Sequence, residues 1–127
     1  PSHGEQEIAM SNKVLGDRGE SCAARYLGAQ GYRILAQKYR TKIGEIDLIA
    51  KDRDTLVFVE VKTRRSVRCG LPAEAVNYRK QRKIIQTAMW YLREKQMDQT
   101  PCRFDIVEVY AAGSEWRIHH LKGAFEV

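Results

Sequence analysis

The chain has 127 residues, of which 43% are hydrophobic and 30% charged, and its formal net charge is +6. This length is enough for one domain with its own core. We expect neither a membrane span nor a signal peptide, because no long apolar run and no basic-then-apolar N-terminus occurs. Cys22, Cys69 and Cys102 are odd in number and far apart, so we expect no disulfide framework and no zinc site, which fits a reducing cytoplasm.

Taken in chain order, the hydrophobic pattern predicts seven elements after a polar segment, residues 1–12, that we expect to be loose. A helix over Lys13–Leu27, ended by Gly28 and Gly31, precedes three strands joined by turns; a second helix, two strands and the C-terminus follow. This order favours an α/β (α+β) domain with a mixed sheet over residues 13–127. The predicted strands and second helix are Tyr32–Tyr39, Glu45–Ala50, Leu56–Thr63, Asn77–Gln96, Arg103–Tyr110 and Glu115–Leu121.

Two of these strands carry charged residues within otherwise apolar, β-branched runs. Such charges are costly to bury unless they are paired or bind a metal. Alternation puts Glu45 and Asp47 on one face of their strand, and Glu60 and Lys62 on one face of the next. If the strands are neighbours, Asp47, Glu60 and Lys62 converge at an edge of the sheet. Two carboxylates and an ammonium group are suited to a hard cation such as Mg²⁺ or Mn²⁺.

The positive charge is concentrated directly after the second of these strands. Residues 62–83 contain eight Lys or Arg and one acid, a charge of +7, while the rest of the chain carries −1. This asymmetry favours a surface that faces a polyanion over an exposed solubilising helix and loop, which stays the alternative. The residues predicted to contact a nucleic-acid backbone are Arg64, Arg65, Arg68, Lys80, Gln81 and Lys83.

The spacing of these residues resembles a known motif. An Asp followed, about a dozen residues later, by Glu-X-Lys on the next strand is typical of the PD-(D/E)XK nuclease superfamily. With Gly19-Glu20, the run from Gly44 to Ala50, Phe58–Arg64 and Arg103-Phe104-Asp105, the chain resembles the YraN family of small bacterial proteins in that superfamily, which is also similar to archaeal Holliday-junction resolvases. One departure is Ile46, which stands where the superfamily's name has proline.

The resemblance implies a restriction-endonuclease-like αβββαβ core and a catalytic set of Asp47, Glu60, Lys62 and Glu20. Asp47 and Glu60, with the backbone carbonyl of Val61, are then the predicted ligands of Mg²⁺ or Mn²⁺. Lys62 is expected to activate water and offset charge in the transition state. For Glu20 an exposed helix position stays equally open, and Glu45 is a candidate outer acid.

Several further residues have two interpretations. Tyr78, Trp90 and Tyr91 can stack on bases or belong to the core. The adjacent His119 and His120 must point to opposite faces of a strand, so we interpret them as structural. Asp105 is expected to pair with a basic side chain or cap a turn.

The sequence therefore predicts a Mg²⁺- or Mn²⁺-dependent endonuclease that hydrolyses phosphodiester bonds in DNA, with branched or repair intermediates among the candidate substrates. Two alternatives stay open: a nucleic-acid-binding protein that has the fold without turnover, and an adaptor whose partner is a protein. A homodimer, as in junction resolvases, is a further expectation.

Overall fold

The computed structural model describes residues 11–65, 76–112 and 114–127. The elements agree with the predicted order and differ from the predicted bounds by a few residues at their ends. Residues 1–10, which make up most of the segment expected to be loose, lie outside the described part of the chain. The elements are α1 (Asn12–Ala29), β1 (Arg33–Arg40), β2 (Glu45–Asp52), β3 (Thr55–Arg64), α2 (Tyr78–Glu94), β4 (Cys102–Ala112) and β5 (Glu115–Phe125).

The strands form one mixed sheet in the order β1-β2-β3-β4-β5. β1, β2 and β3 are an antiparallel meander; β4 is parallel to β3, and β5 returns antiparallel to β4. Parallel neighbours require a crossover connection, and α2 lies within the one between β3 and β4. This mixed α+β architecture confirms the predicted fold class and is consistent with a restriction-endonuclease-like core.

Both faces of the sheet are covered, which explains why β2 and β3 are nearly continuous apolar runs. On one face, Ala23 and Leu27 of α1 pack with Leu48, Val57 and Val59. On the other face, the apolar side of α2 packs with the aromatic centre of the sheet; this second cluster includes Ile49, Phe58, Ile84, Ile85, Ala88, Leu92 and Phe104. The sheet is therefore the middle layer of three.

The ends of the helices follow from identifiable residues. Ser11 and Asn77 are the N-caps of α1 and α2, and their side chains accept hydrogen bonds from the backbone N–H groups of Val14 and Lys80. The prediction that Gly28 ends the first helix is wrong, because α1 continues to Ala29. Gly31, with φ of +96°, then provides the left-handed conformation that turns the chain into β1.

α1 approaches the sheet closely at Gly19. A Cβ atom at this position would overlap the side chain of Thr63 on β3. Only glycine allows this separation, and the contact holds the N-terminal half of α1 over the end of β3. Glu20, the next residue, is thereby positioned beside the same end of the sheet.

Candidate active site

The site begins where the inner strands β2 and β3 part. Their pairing runs from Asp52 and Thr55 to Leu48 and Val59. Beyond that point the Oδ2 atom of Asp47 accepts a hydrogen bond of 2.8 Å from the backbone N–H of Val61. The carboxylate of Asp47 thus accepts the hydrogen bond that a backbone carbonyl of β2 would accept in a regular ladder. A cavity lies where the two strands are no longer paired.

This open cavity has a volume of about 350 Å³ and lies between the N-terminal halves of both helices. It brings together all four residues of the predicted catalytic set and Val61. The expectation of a site at an edge of the sheet is corrected in one respect: the site lies at the end of two inner strands. The residues that line it are Asn12, Leu15, Gly16, Glu20, Asp47, Glu60, Val61, Lys62, Thr63 and Lys80.

Glu60 is the most enclosed carboxylate of the cavity, with a side chain only 5% exposed. Its Oε2 atom lies 2.8 Å from the Nζ of Lys80 and 3.7 Å from that of Lys62. Burial opposes the charge on Lys80, but Glu60 and Asp47 outweigh it and raise the pKa of this lysine. Lys80 was predicted as a phosphate contact, and its ion pair with Glu60 was not anticipated. The signal was available in the Asn77 cap, which places Lys80 in the first turn of α2.

The environment of Asp47 disfavours its charged form. Burial, followed by repulsion from Glu60, raises the pKa of Asp47 to about 7, although the hydrogen bond from Val61 opposes the shift. Repulsion from Glu20 acts in the same direction. A carboxyl group with its pKa near neutrality inside a cavity is common at functional sites. The ionised form of Asp47 is therefore disfavoured in this cavity unless further positive charge is bound there.

Glu20 lies in the wall of the cavity and has an unexpected partner. Its Oε1 atom is buried and forms an ion pair of 2.9 Å with the Nζ of Lys38 on β1. The carboxylates of Glu20 and Asp17 raise the pKa of Lys38. Lys38 has a left-handed backbone, with φ of +52°, and no sequence pattern pointed to it.

The carboxyl groups do not form a complete metal site from protein ligands alone. In the described ranges, no three His, Cys, Asp or Glu side chains come together closely enough to hold an ion. Glu45, the candidate outer acid, is exposed and pairs with Arg40 at 3.2 Å. The strongest donors for a cation are therefore the pair Asp47 and Glu60.

Of the residues predicted to contact a nucleic-acid backbone, Lys80 lines the cavity. Arg64 pairs with the buried Glu108 at 3.5 Å, and Arg65 donates a hydrogen bond of 2.8 Å to Asn12. The side chain of Gln81 donates to the carbonyl of Val76. Lys83 is exposed on α2, whereas Arg68 lies outside the described residues.

The three aromatic residues of α2 separate into two kinds. Tyr91 is 6% exposed and belongs to the core, where its ring packs edge-on against Phe58. Tyr78 and Trp90 are 72% and 47% exposed, so the core interpretation fails for both.

A second polar cluster lies at the other end of α1. Asp105 is fully buried and accepts hydrogen bonds from Arg103 and from the N–H of Gly123, while its Oδ2 is 2.7 Å from Nε2 of His120. Burial would raise the pKa of Asp105, but these partners lower it. Asp105 thus has the basic partners that were expected. His119 faces the opposite way and contacts Glu108 at 3.2 Å.

Fold and cavity together define a small α+β protein with a carboxylate–lysine cluster at the end of two inner strands. The chain belongs to the uncharacterised protein family UPF0102, whose model matches residues 19–109. It is 47% identical over 116 residues to a UPF0102 protein of Clostridioides difficile, covering 91% of this chain and all of that one. A UPF0102 protein of Syntrophus aciditrophicus is 50% identical over 116 residues, which cover 91% of each chain. Among the described residues, neither helix is long and apolar enough to cross a membrane.

Proposed function

We propose that the protein is a metal-dependent endonuclease of the PD-(D/E)XK superfamily that hydrolyses phosphodiester bonds in DNA. The observation that carries this proposal is the convergence of Asp47, Glu60 and Lys62 in one open cavity where β2 and β3 part. A cytoplasmic location belongs to the same proposal.

The donor set fits a hard divalent cation. Mg²⁺ is commonly held by one or two carboxylates, with waters and substrate phosphates completing the octahedron. Asp47 and Glu60 would supply the carboxylates. The N–H of Val61 points toward β2, and the N–H and C=O of one extended residue point to the same side, so the carbonyl of Val61 is available too. The raised pKa of Asp47 is what an anionic cavity suited to a cation would show.

The residues of the chain have distinct roles in this proposal. The bound ion supplies Lewis acidity and lowers the pKa of water. Lys62, 25% exposed beside Glu60, offsets the charge that builds on the phosphoryl oxygens and orients the attacking water. Lys80 neutralises Glu60 and faces the mouth of the cavity, where it can meet a phosphate of the bound strand.

A second candidate function is nucleic-acid binding without turnover. It is favoured by the 2.8 Å ion pair between Lys80 and Glu60, which supplies positive charge where the nuclease needs a metal. The basic surface would serve either function equally.

A cleavage assay separates the two. Branched and linear DNAs are incubated with Mg²⁺, with Mn²⁺ and with chelator. We expect cleavage in either metal, none in chelator, and loss of activity in Asp47→Asn and in Glu60→Gln. Glu45→Gln is the matched control, because Glu45 is on the same strand as Asp47 but exposed and paired with Arg40.

Two results would contradict the nuclease. One is a wild-type protein that binds DNA but cleaves neither DNA nor RNA in either metal, which would leave the binding module. The other is cleavage that persists in both the Asp47 and the Glu60 variants, which would point to a contaminant.

A further inference from the structure

An apolar depression of about 500 Å³ lies beside α2, away from the carboxylate cavity. Trp90, 47% exposed, and Ile43, 37% exposed, form part of its lining together with Tyr39. Lys42 and Arg40, which pairs with Glu45 at 3.2 Å, also line it. The volume of the depression falls within the range of small-ligand pockets.

The depression is formed in advance of any ligand. The Oγ1 atom of Thr41 accepts hydrogen bonds from the N–H groups of Ile43, at 3.0 Å, and Gly44, at 3.3 Å, and this closes the turn between β1 and β2. The Tyr39 hydroxyl donates a hydrogen bond of 2.9 Å to Glu94, so the acid at the depression already has a partner. A rigid wall lowers the entropic cost of binding.

The turn that lines the depression packs against α2 at Gly44, beside Lys83. Gly44 approaches α2 so closely that an added Cβ would lie 3.2 Å from the hydroxyl of Thr87 and 3.9 Å from the Cβ of Lys83. Lys83 follows Lys80 by three residues, about one helical turn, and Lys80 pairs with Glu60 in the cavity. Two lysines of α2, Lys80 and Lys83, therefore lie along the helix between the cavity and Trp90.

We propose that this depression binds an unpaired nucleobase, stacked on Trp90, from the same strand whose phosphates meet Lys80 and Lys83. Aromatic platforms combined with a cationic groove are the common means of binding single-stranded nucleic acid, since every base has a face to stack. A peptide is the competing occupant, and the combination of an exposed tryptophan with the lysines of α2 favours the nucleic acid.

This proposal rests on the proposed function, which gives DNA as the substrate, and it restricts the kind of DNA that is cleaved. Trp90 lies about 15 Å along α2 from Lys80, the length of roughly four stacked nucleotides. In an intact duplex the base faces are stacked on their neighbours and are not available. The substrate is therefore DNA with an unpaired stretch a few nucleotides from the cleavage point, as in branched, gapped or flapped structures.

Fluorescence of Trp90 provides a direct test that does not depend on cleavage. The chain has two tryptophans, so Trp116→Phe leaves Trp90 as the only one. This variant is titrated in Ca²⁺ with a thymidine oligonucleotide and with a blunt duplex of the same length. We expect strong quenching by the single strand and little by the duplex.

Affinity gives the second measurement. Trp90→Ala should weaken single-strand binding by on the order of 10-fold and leave duplex binding unchanged, and Trp90→Phe should retain most of the affinity. Met89→Ala, the neighbouring residue on α2 and 42% exposed, is the matched control and should bind like wild type.

The outcomes distinguish this inference from the proposed function. Three results would overturn the base pocket, whether or not the protein cleaves DNA: equal quenching by duplex and single strand, quenching by neither, or unchanged single-strand affinity in Trp90→Ala. Each of them would leave a peptide as the occupant of the depression. Selective quenching in a protein that cleaves nothing supports the pocket and overturns the nuclease.

Discussion

At the scale of single residues, the difference between Lys62 and Lys80 is informative. The Nζ of Lys80 lies 2.8 Å from the Oε2 of Glu60, whereas the Nζ of Lys62 lies 3.7 Å from the same atom. Lys80 thus offsets the charge of the carboxylate, and in the proposed hydrolysis Lys62 is available for charge that appears only in the transition state. An interaction that strengthens in the transition state affects turnover more than binding.

We therefore predict that Lys62→Ala lowers turnover by on the order of 10²-fold, the scale found for loss of one such electrostatic group. DNA affinity, measured in Ca²⁺ to prevent cleavage, should change little. Lys122→Ala, an exposed lysine of β5, is the charge-matched control. An equal loss of affinity and turnover in Lys62→Ala would show that Lys62 only binds substrate.

The pKa of Asp47 leads to a prediction on pH. Because the pKa of this group is about 7 in the folded protein and 3.8 in its ordinary state, the folded protein holds the extra proton between these values. The free energy of unfolding contributed by Asp47 is therefore fully present below about pH 4 and is lost as the pH rises toward 7. In chelator, wild type should lose stability over this window relative to Asp47→Asn, in denaturant melts at several pH values.

The affinity for a divalent metal should instead rise with pH, because carboxyl ligands must be deprotonated to bind the ion. With a pKa of about 7, the apparent affinity for Mn²⁺ should be about tenfold weaker at pH 6 than at pH 8. The rise in melting temperature at a fixed Mn²⁺ concentration is the measurement. A metal response that is the same at both pH values, or that persists in Asp47→Asn, would place the ion elsewhere.

At the scale of elements, the contact between α1 and β3 determines where Glu20 lies. Gly19 allows this contact because any larger residue would overlap Thr63. We predict that Gly19→Ala destabilises the fold by about 1–3 kcal/mol, as overpacking in a core commonly does, and reduces activity by displacing Glu20.

Gly28→Ala is the control for this prediction. It lies in the same helix, and nothing stands within 4 Å of an added Cβ there. It should therefore be neutral or stabilise the protein by up to about 1 kcal/mol through helix propensity. Urea melts of both variants make the comparison, and equal stabilities would contradict a close approach at Gly19.

At the scale of the whole molecule, charge is divided between an anionic cavity and a cationic surface. The +7 segment includes Lys62 and Lys80, which line the cavity, and the exposed Lys83 of α2. A polyanion would be attracted to these cations rather than to the carboxylates. In the proposed function, this separation would allow DNA to approach a site that contains three carboxylates.

We predict that Lys83→Ala weakens binding to all DNA sequences alike and lowers the salt slope of the binding constant by about 1, because one phosphate contact and its counterion release are lost. Arg117→Ala, exposed on β5, should leave the slope unchanged. The measurement is the affinity between 50 and 200 mM salt, about the range in which such slopes are resolved. Identical slopes in wild type and Lys83→Ala would show that this part of α2 does not touch the backbone.

Local patterns in the sequence were sufficient for the fold class and for most of the cavity. Alternation in β2 and β3 and the cap at Asn77 are local signals, and such signals correctly predicted the elements and their order along the chain. The spacing of Asp47, Glu60 and Lys62 indicated that they converge if their strands are neighbours, and the pairing of β2 with β3 meets that condition.

Only the tertiary structure decided which partners these residues have. Three pairs of residues that are distant along the chain show this. Lys38 lies beside Glu20, 18 positions away, and Lys80 beside Glu60, 20 positions away. The exposed Trp90 lines the same depression as Ile43, 47 positions away. No local pattern encodes these pairs, since they depend on how closely the helices approach the sheet. For the same physical reason the pKa of Asp47 could not be read from the sequence: burial and the distance to another carboxylate raise it, and both arise only when the layers pack.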